Sequence, residues 1–388
     1  MKEAAALNRY DKMYRNLMAT LLLLFIGMIA ALHLLTPDRA FSESENRVLE
    51  RLPHFSLQAL VSGRFASNYE KYVSDQFAFR DVWIGVKSDA DRLMGKKESN
   101  GVYLGADGYL IQKFTALTAG DLEDKVAAIH SLDSVTPGLQ KYVMLVPTAV
   151  TLLKDKLPAY APAGDEPKYL DQVRQSLHSD IRFVDVYPAL YAERENPVFY
   201  KTDHHWTTRG AYYAYRELCR QMGIIPQEEE DFHIRQVTNE FYGSLYSKSG
   251  FRRLQPDSIE LYVPKEDQSY TVEYVEEQQT SDSLYEMENL NKKDKYTVFL
   301  NGNHALIHIT TGHPGEKKLL VVKDSYANSL IPFLTEHFSE IYVADLRYYE
   351  EDLVKLVQEQ GIHDMLLLYN IQTFLEDPSI KKLSEGIE

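Results

Sequence analysis

The first long hydrophobic stretch is Leu17 to Leu35 (LMATLLLLFIGMIAALHLL), 19 residues without a formal charge. As a helix it would rise roughly 28 Å, close to the thickness of a bilayer's hydrocarbon core. From Leu57 to Met94 the apolar positions recur at helical spacing (Leu57, Leu60, Val61, then Phe65, Tyr69, Tyr72, Val73, Phe77), with breaks at Gly63 and around Asp75 to Arg80. Two or three helices are predicted there. Val102 to Ile111 (VYLGADGYLI) places Gly105 and Gly108 between two strand-like runs, which is a hairpin pattern. Beyond it, short continuous apolar runs alternate with helical patterns. Lys141 to Pro147, Ile181 to Val186, Lys318 to Lys323, Glu340 to Ala344 and Asp364 to Leu368 read as buried strands, with helices at Tyr169 to Leu177, Tyr326 to His337 and Glu350 to Gln360. This order predicts an α/β fold, a five-stranded parallel sheet with helices on its faces. Gln227 to Thr311 is acidic and turn-rich and reads as an insertion or lid, with a strand pair expected around Tyr296 to Ile309.

Charge distribution gives the apolar run a direction. Arg9, Lys12 and Arg15 precede it, and Asp38, Glu43 and Glu45 follow with Arg39, so the positive-inside rule leaves a short cytoplasmic tail and puts the rest of the chain outside. A cleaved signal peptide is the alternative, with Ala30-Ala31-Leu32 as a weak cleavage match. The expected layout is a tail at 1–16, a single-pass membrane anchor at 17–35, a helical juxtamembrane segment at 36–100, and a catalytic domain at 101–388 carrying the insertion at about 227–311. A net charge of −15 supplies no basic stripe for phosphates and argues against nucleic acid as a partner. The single cysteine, Cys219, cannot form an internal disulfide.

Candidate chemistry centres on Val198 to Tyr215 (VFYKTDHHWTTRGAYYAY). Strand formers lead into Asp203-His204-His205-Trp206, and Thr207 or Thr208 can cap a helix running from Arg209 to Met222 and stopping at Gly223. In extended backbone Asp203 and His205 share a face and His204 points away. A carboxylate beside an imidazole suits a general base; two histidines with an aspartate also suit a metal, and Trp206 also suits a core position. Ligands in open α/β sheets gather beyond the carboxyl ends of the strands. There Ser325 follows the strand KLLVVK, as a nucleophile near the first N–H groups of a helix or as a plain N-cap, and Asn370 ends the strand begun by DMLLL.

These residues resemble the SGNH hydrolase superfamily in circularly permuted order, with the D-x-H block ahead of the serine. More closely, DHHW, the N-terminal anchor, Ser74 to Arg80 (SDQFAFR), Val102 to Leu110 (VYLGADGYL) and Phe241 to Leu245 (FYGSL) resemble the DHHW family, which is similar to the alginate O-acetylation proteins AlgJ and AlgX. The resemblance implies an SGNH-like three-layer fold, with Ser325 as nucleophile, His205 as general base, Asp203 as its orienter, and Asn370 with the Ser325 N–H as oxyanion donors. Lys323 stands where that superfamily has glycine before the Asp-Ser pair. The second-strand glycine donor is also missing, its strand running into Asp345-Leu346-Arg347, so Arg347 enters as a possible clamp. Arg347, Trp206 and Tyr242 are the candidates for substrate contact. The implied function is O-acetyl transfer to a cell-surface or exported polysaccharide, without cofactor or metal, with a membrane-bound O-acyltransferase partner supplying acetyl. A carbohydrate esterase would use the same residues with water as acceptor, and a non-catalytic glycan-binding or assembly protein would suit the 27 tyrosines.

Overall fold

A computed structural model describes residues 2–42, 47–116, 121–266 and 268–384; Glu43 and Glu45 of the acidic flank lie outside them. The chain divides into two compact units, residues 1–94 and 95–388.

In the first unit, α1 (Lys2–Leu35) is followed by the paired strands β1 (Phe41–Ser42) and β2 (Arg47–Val48) and the helices α2 (Leu57–Val61), α3 (Arg64–Asp75) and α4 (Arg80–Leu93). Within α1, Tyr10–His33 is a 24-residue stretch long and apolar enough to cross a membrane, with mean hydropathy 2.0. The α3–α4 junction, Asp75 to Arg80, has a structural task in this unit. The Asp75 carboxylate accepts the Glu50 N–H at 2.9 Å, and the Gln76 amide donates to the carbonyls of Arg39 and Glu50, both at 2.9 Å. These two buried polar side chains pin the backbone of Arg39 and Glu50 onto the helices.

The second unit opens with a small antiparallel sheet, β3 (Glu98–Ser99), β4 (Val102–Leu104) and β5 (Leu110–Gln112), whose β4–β5 hairpin is the one read from VYLGADGYLI. Then come α5 (Asp121–Val135), β6 (Gln140–Val146), α6 (Ala149–Leu152), α7 (Glu166–Ser176), β7 (Ile181–Phe183), α8 (Tyr187–Ala192) and α9 (Thr208–Met222). A second antiparallel pair, β8 (Phe232–Phe241) and β9 (Asp257–Pro264), flanks α10 (Ser244–Ser249). The chain continues through β10 (Tyr270–Tyr274), β11 (Gln279–Ser281), β12 (Leu306–Thr311), β13 (Lys318–Lys323), α11 (Ile331–Leu334), β14 (Glu340–Ala344), α12 (Leu353–Gln360), β15 (Asp364–Asn370) and α13 (Ile371–Glu376).

Eight strands form the main sheet in the order β11-β10-β12-β14-β13-β15-β6-β7. The five from β14 to β7 run parallel, and they are the five apolar runs picked out by pattern. Such runs are fully apolar because parallel strands are covered on both faces; Leu319, Leu320, Val321, Val322 and Leu366 have no exposed surface. Residues 227–311 depart from the sequence reading. Their β12 pairs antiparallel with β14, β10 and β11 continue the sheet by antiparallel pairing beyond it, and the strand pair expected at Tyr296 to Ile309 does not form. Lys295–Val298 is a 3₁₀ turn, and Leu300, Asn301 and Gly302 take positive φ (53°, 55° and 94°), which ends any strand before β12. The helix expected over Tyr326 to His337 is likewise two short pieces, a 3₁₀ segment (Ser325–Ser329) and α11, with Pro332 in the first turn of α11. Ser325 therefore does not head a long helix.

The α9 helix follows the sequence reading closely. Thr207 caps it by accepting the Gly210 N–H at 3.1 Å, and Gly223 ends it at φ 72°. Gly210 is demanded by proximity, since a Cβ there would lie 2.3 Å from the Val198 carbonyl oxygen. Gly210→Ala should cost about 1–3 kcal/mol through overpacking. Urea unfolding of the full chain in detergent checks this, and an unchanged midpoint would mean that α9 is free to move off Val198.

Candidate active site

Parallel register brings the ends of β14, β13, β15 and β6 side by side, and with them Arg347, Ser325, Asn370 and Thr148. The DHHW loop meets this edge from the other side. Residues 201–205 are a succession of bends between Phe199 and Trp206, which form an isolated antiparallel bridge, closed by Tyr200 N–H to His205 carbonyl at 3.2 Å. The Asp257 carboxylate pins the loop by accepting the N–H groups of Lys201 and Thr202, both at 2.8 Å, and the Thr202 hydroxyl at 2.6 Å.

Within this loop the Asp203 Oδ1 lies 2.5 Å from His205 Nδ1, and His205 Nε2 lies 2.7 Å from Ser325 Oγ. Asp203 is 4 % exposed. Its Oδ1 also accepts the His205 N–H at 3.0 Å, and its Oδ2 accepts the Ser244 N–H at 2.7 Å. Burial alone would raise this carboxyl. The neighbouring imidazoles of His205 and His204, together with these hydrogen bonds, outweigh burial and hold it well below the usual carboxylate range. Gly243 makes the approach of Ser244 possible, because a Cβ there would sit 2.2 Å from the Asp203 Cβ. Ser325 is partly exposed, and its N–H donates to no atom among the described residues.

His204 corrects an expectation. It does not point away from His205. The bends remove the strand alternation, and the two rings lie 3.8 Å apart at 38°, with His204 Nδ1 2.7 Å from Ser244 Oγ. Burial, and then the charge of His205, push His204 down to about 4. Asp203, His204 and His205 have ligand atoms within 4.8 Å of one another and so could hold a metal ion. Binding one through His205 would displace either Asp203 from Nδ1 or Ser325 from Nε2.

The remaining candidates are placed differently from the sequence reading. Asn370 donates both amide hydrogens, to Asp324 Oδ2 and Thr373 Oγ1, each at 2.7 Å, and its Oδ1 accepts the Thr373 N–H. It braces Asp324 and caps α13, with no donor left over for an oxyanion in this arrangement. Asp324 also accepts the Tyr326 N–H at 2.9 Å, and burial lifts its carboxyl to about 6 against these donors. Trp206 is fully buried, donating its indole N–H to the Tyr326 carbonyl and Ser329 Oγ, and offers no surface to a substrate. Tyr242 donates to the Leu254 carbonyl at 3.0 Å and packs on Tyr246. Arg347 is half-buried and holds Asp345 in a bidentate pair at 2.8 and 2.5 Å. The wholly buried Lys323 reaches the same Asp345 at 3.5 Å and the Asn303 amide oxygen at 2.6 Å, and burial lowers it to about 8.

Sequence reading missed Tyr296. Its ring stacks on His205 at 3.8 Å and 8°, and its hydroxyl donates to the Ser325 carbonyl and Ser329 Oγ, both at 3.1 Å. No periodicity marks a tyrosine in a 3₁₀ turn of an irregular segment. The DKY stretch carries no signal beyond its aromatic residue.

Two outcomes are expected from this geometry. Tyr296→Leu should slow labelling of Ser325 by a fluorophosphonate probe by roughly tenfold, the upper end of what a lost aromatic pair is worth. Tyr296→Phe keeps the ring and should stay within about threefold of wild type; equal labelling of all three would remove Tyr296 from the site's support. His204, about 4 in the fold against an ordinary 6.5, resists a proton that the unfolded chain accepts. Its contribution to stability is complete above about pH 6.5 and is lost as pH falls toward 4. In urea titrations His204→Asn should flatten the stability slope across that window, and a slope identical to wild type would contradict the assignment.

The DHHW protein family profile matches residues 94–344. The probable alginate O-acetylase AlgJ of Azotobacter vinelandii is 23% identical over 179 residues, covering 43% of this chain and 46% of that protein. The chain thus spans about half the length of the curated relatives it matches. Among solved structures, a DHHW family protein from Eubacterium siraeum superposes with a TM-score of 0.63 at 23% identity, covering 73% of this chain and 95% of that one. Bacillus cereus PatB1, solved with a sulfonyl adduct, gives 0.62 at 20% identity, covering 73% and 98%. Those two likenesses concern the fold, a mixed α/β unit built on a large, mostly parallel sheet, and with the family profile running from the end of the first unit through β14, the chain belongs to the DHHW family.

Proposed function

We propose that this protein is a membrane-anchored, extracytoplasmic O-acetyltransferase that moves acetyl onto hydroxyls of a cell-surface or exported polysaccharide through an acyl-serine. The observation that carries the reading is His205, held between Asp203 and Ser325 at 2.5 and 2.7 Å. The apolar Tyr10–His33 stretch supports the anchor, and the Arg9, Lys12 and Arg15 flank supports an external catalytic unit. The curated relatives are named as probable alginate O-acetylases, which supports a polysaccharide acceptor. The fold in this reading is SGNH hydrolase-like and three-layered, with the D-x-H block permuted ahead of the serine.

In the first half-reaction Ser325 Oγ attacks the acetyl carbonyl as its proton passes to His205 Nε2. The buried Asp203 carboxylate keeps the Nδ1–H tautomer and stabilises the imidazolium. The free Ser325 N–H receives the oxyanion, and Arg347 at the adjoining strand end adds positive charge. Collapse transfers the His205 proton to the leaving group and leaves acetyl on Ser325. In the second half, His205 takes the proton of a sugar hydroxyl as that oxygen attacks the acyl carbon, then returns a proton to Ser325 Oγ. Acetyl donors of the coenzyme A type are cytoplasmic, so the reading calls for a membrane-bound O-acyltransferase partner that hands acetyl across the bilayer.

Incubating the full chain in detergent with p-nitrophenyl acetate and quenching early should give one acetyl adduct, on the peptide containing Ser325. Ser325→Ala should abolish it, and Asp203→Asn should slow its formation by two orders of magnitude or more, within the roughly 10⁴-fold that a wrong histidine tautomer can cost. Turnover retained by Ser325→Ala refutes the mechanism. An adduct that water discharges as fast as any oligosaccharide turns the protein into an esterase.

A further inference from the structure

A pocket of about 280 Å³, lined by His204 and Tyr326, the chain neighbours of His205 and Ser325, lies over the ends of β15 and β6 on the side away from Arg347. Tyr326, His204 and Asn370 are among its lining residues; His204 and Tyr326 pack on the His205 ring, and Asn370 bonds to Asp324, which precedes Ser325. Much of the frame is rigidly held. Thr148 is fixed by the buried Glu166 at 2.6 and 2.9 Å, Ser244 by His204, and Gln372 by the Thr115 backbone and Glu376. Three other lining groups are unspent. The Gln112 amide, the His204 Nε2 edge and the Lys248 ammonium have no partner among the described residues. A fixed polar frame with a few uncommitted donors and acceptors beside an apolar wall, here Ala149, Leu245 and Tyr326, is the make-up of a site for a hydroxyl-rich ring. It is far larger and more polar than an acetyl group needs.

We propose that this pocket is the acceptor subsite, seating one pyranose residue of the polysaccharide with its reacting hydroxyl turned toward the acyl carbon on Ser325. The inference rests on the acyl-transfer reading above and adds where the sugar enters and what grips it. His204, tied to Ser244 through Nδ1, turns its Nε2 edge toward a sugar oxygen. Gln112 both donates and accepts, matching a hydroxyl, and Lys248 donates at the rim. In the transfer step the sugar O–H bond breaks with its proton going to His205 Nε2, a new bond forms from that oxygen to the acyl carbon, and the bond from that carbon to Ser325 Oγ breaks. Ser325 recovers the proton from His205, leaving free enzyme and acetylated sugar. Trp206 and Tyr242 do not line this pocket.

The test preloads the full chain in detergent with acetyl from p-nitrophenyl acetate. Adduct discharge is then followed against the concentration of cellotetraose, chitotetraose and tetramannuronate as probes. Wild type should be discharged faster by at least one of them, with saturation. For that probe, Gln112→Ala and Lys248→Met should each raise the half-saturating concentration about three- to tenfold, the range a lost hydrogen bond is worth, with the maximal rate changing less. Ala149→Phe, which fills the pocket, should remove saturation. If Ala149→Phe fails to fold, the two rim variants decide alone. Wild-type saturation with unchanged half-saturating concentrations in both rim variants overturns the subsite and leaves the transferase reading standing. A wild-type adduct that no sugar discharges faster than water removes the transferase reading and the subsite with it.

Discussion

Taking the Asp203 carboxylate out of water is the constraint on which the rest of the site depends. A buried carboxylate stays ionised only if charge and hydrogen bonds replace its hydration. Here the replacements are the His205 imidazole, the backbone N–H of His205 and the N–H of Ser244. Each requirement propagates. Ser244 reaches Asp203 only because Gly243 has no side chain, and His205 keeps its plane because Tyr296 lies flat against it. The same tyrosine ties that plane to the Ser325 backbone, so His205 and Ser325 share one support.

The segment between the DHHW loop and β13 is therefore part of the site rather than a cover over it. It supplies Gly243 and Ser244 to Asp203, Asp257 to the backbone of Lys201 and Thr202, Tyr296 to His205, and Asn303 to Lys323. Its strands β10 to β12 are fused to the sheet through β14, which gives these contacts a fixed base. Lys323, wholly buried at the end of β13, is accommodated by the Asp345–Arg347 pair beside it. A charge in that position demands partners that a glycine would not, and the chain provides them from the neighbouring strand end.

What could be read from sequence was local. The five parallel strands appear as continuous apolar runs because each is covered on both faces, and α9 declares itself through Thr207 and Gly223. Ser325, His205 and Asp203 were legible because each sits at a strand end or in a dense polar motif. What escaped was set by contacts distant in sequence. The role of His204 turned on bends that pattern rules treat as strand, Asn370 was claimed by Asp324 from 46 positions away, and Tyr296 gained its place from a 3₁₀ turn with no periodicity. The broken helix after Ser325 escaped for a related reason, since its apolar spacing records burial on the sheet while its short segments are set by the backbone.

His205 and Ser325 stand 120 positions apart in the chain, and the tyrosine that supports both comes between them, 29 positions before the serine. Contacts of such long range form late, after the closure entropy of the intervening loop has been met. A chain still on the ribosome can carry the whole DHHW loop and still lack Ser325, the group that His205 Nε2 faces. The Asp203–His205–Ser325 line cannot be assembled until the last strands are in place, so its closure is in effect a stamp of completed folding. Truncation anywhere before β13 leaves His205 without the serine it faces.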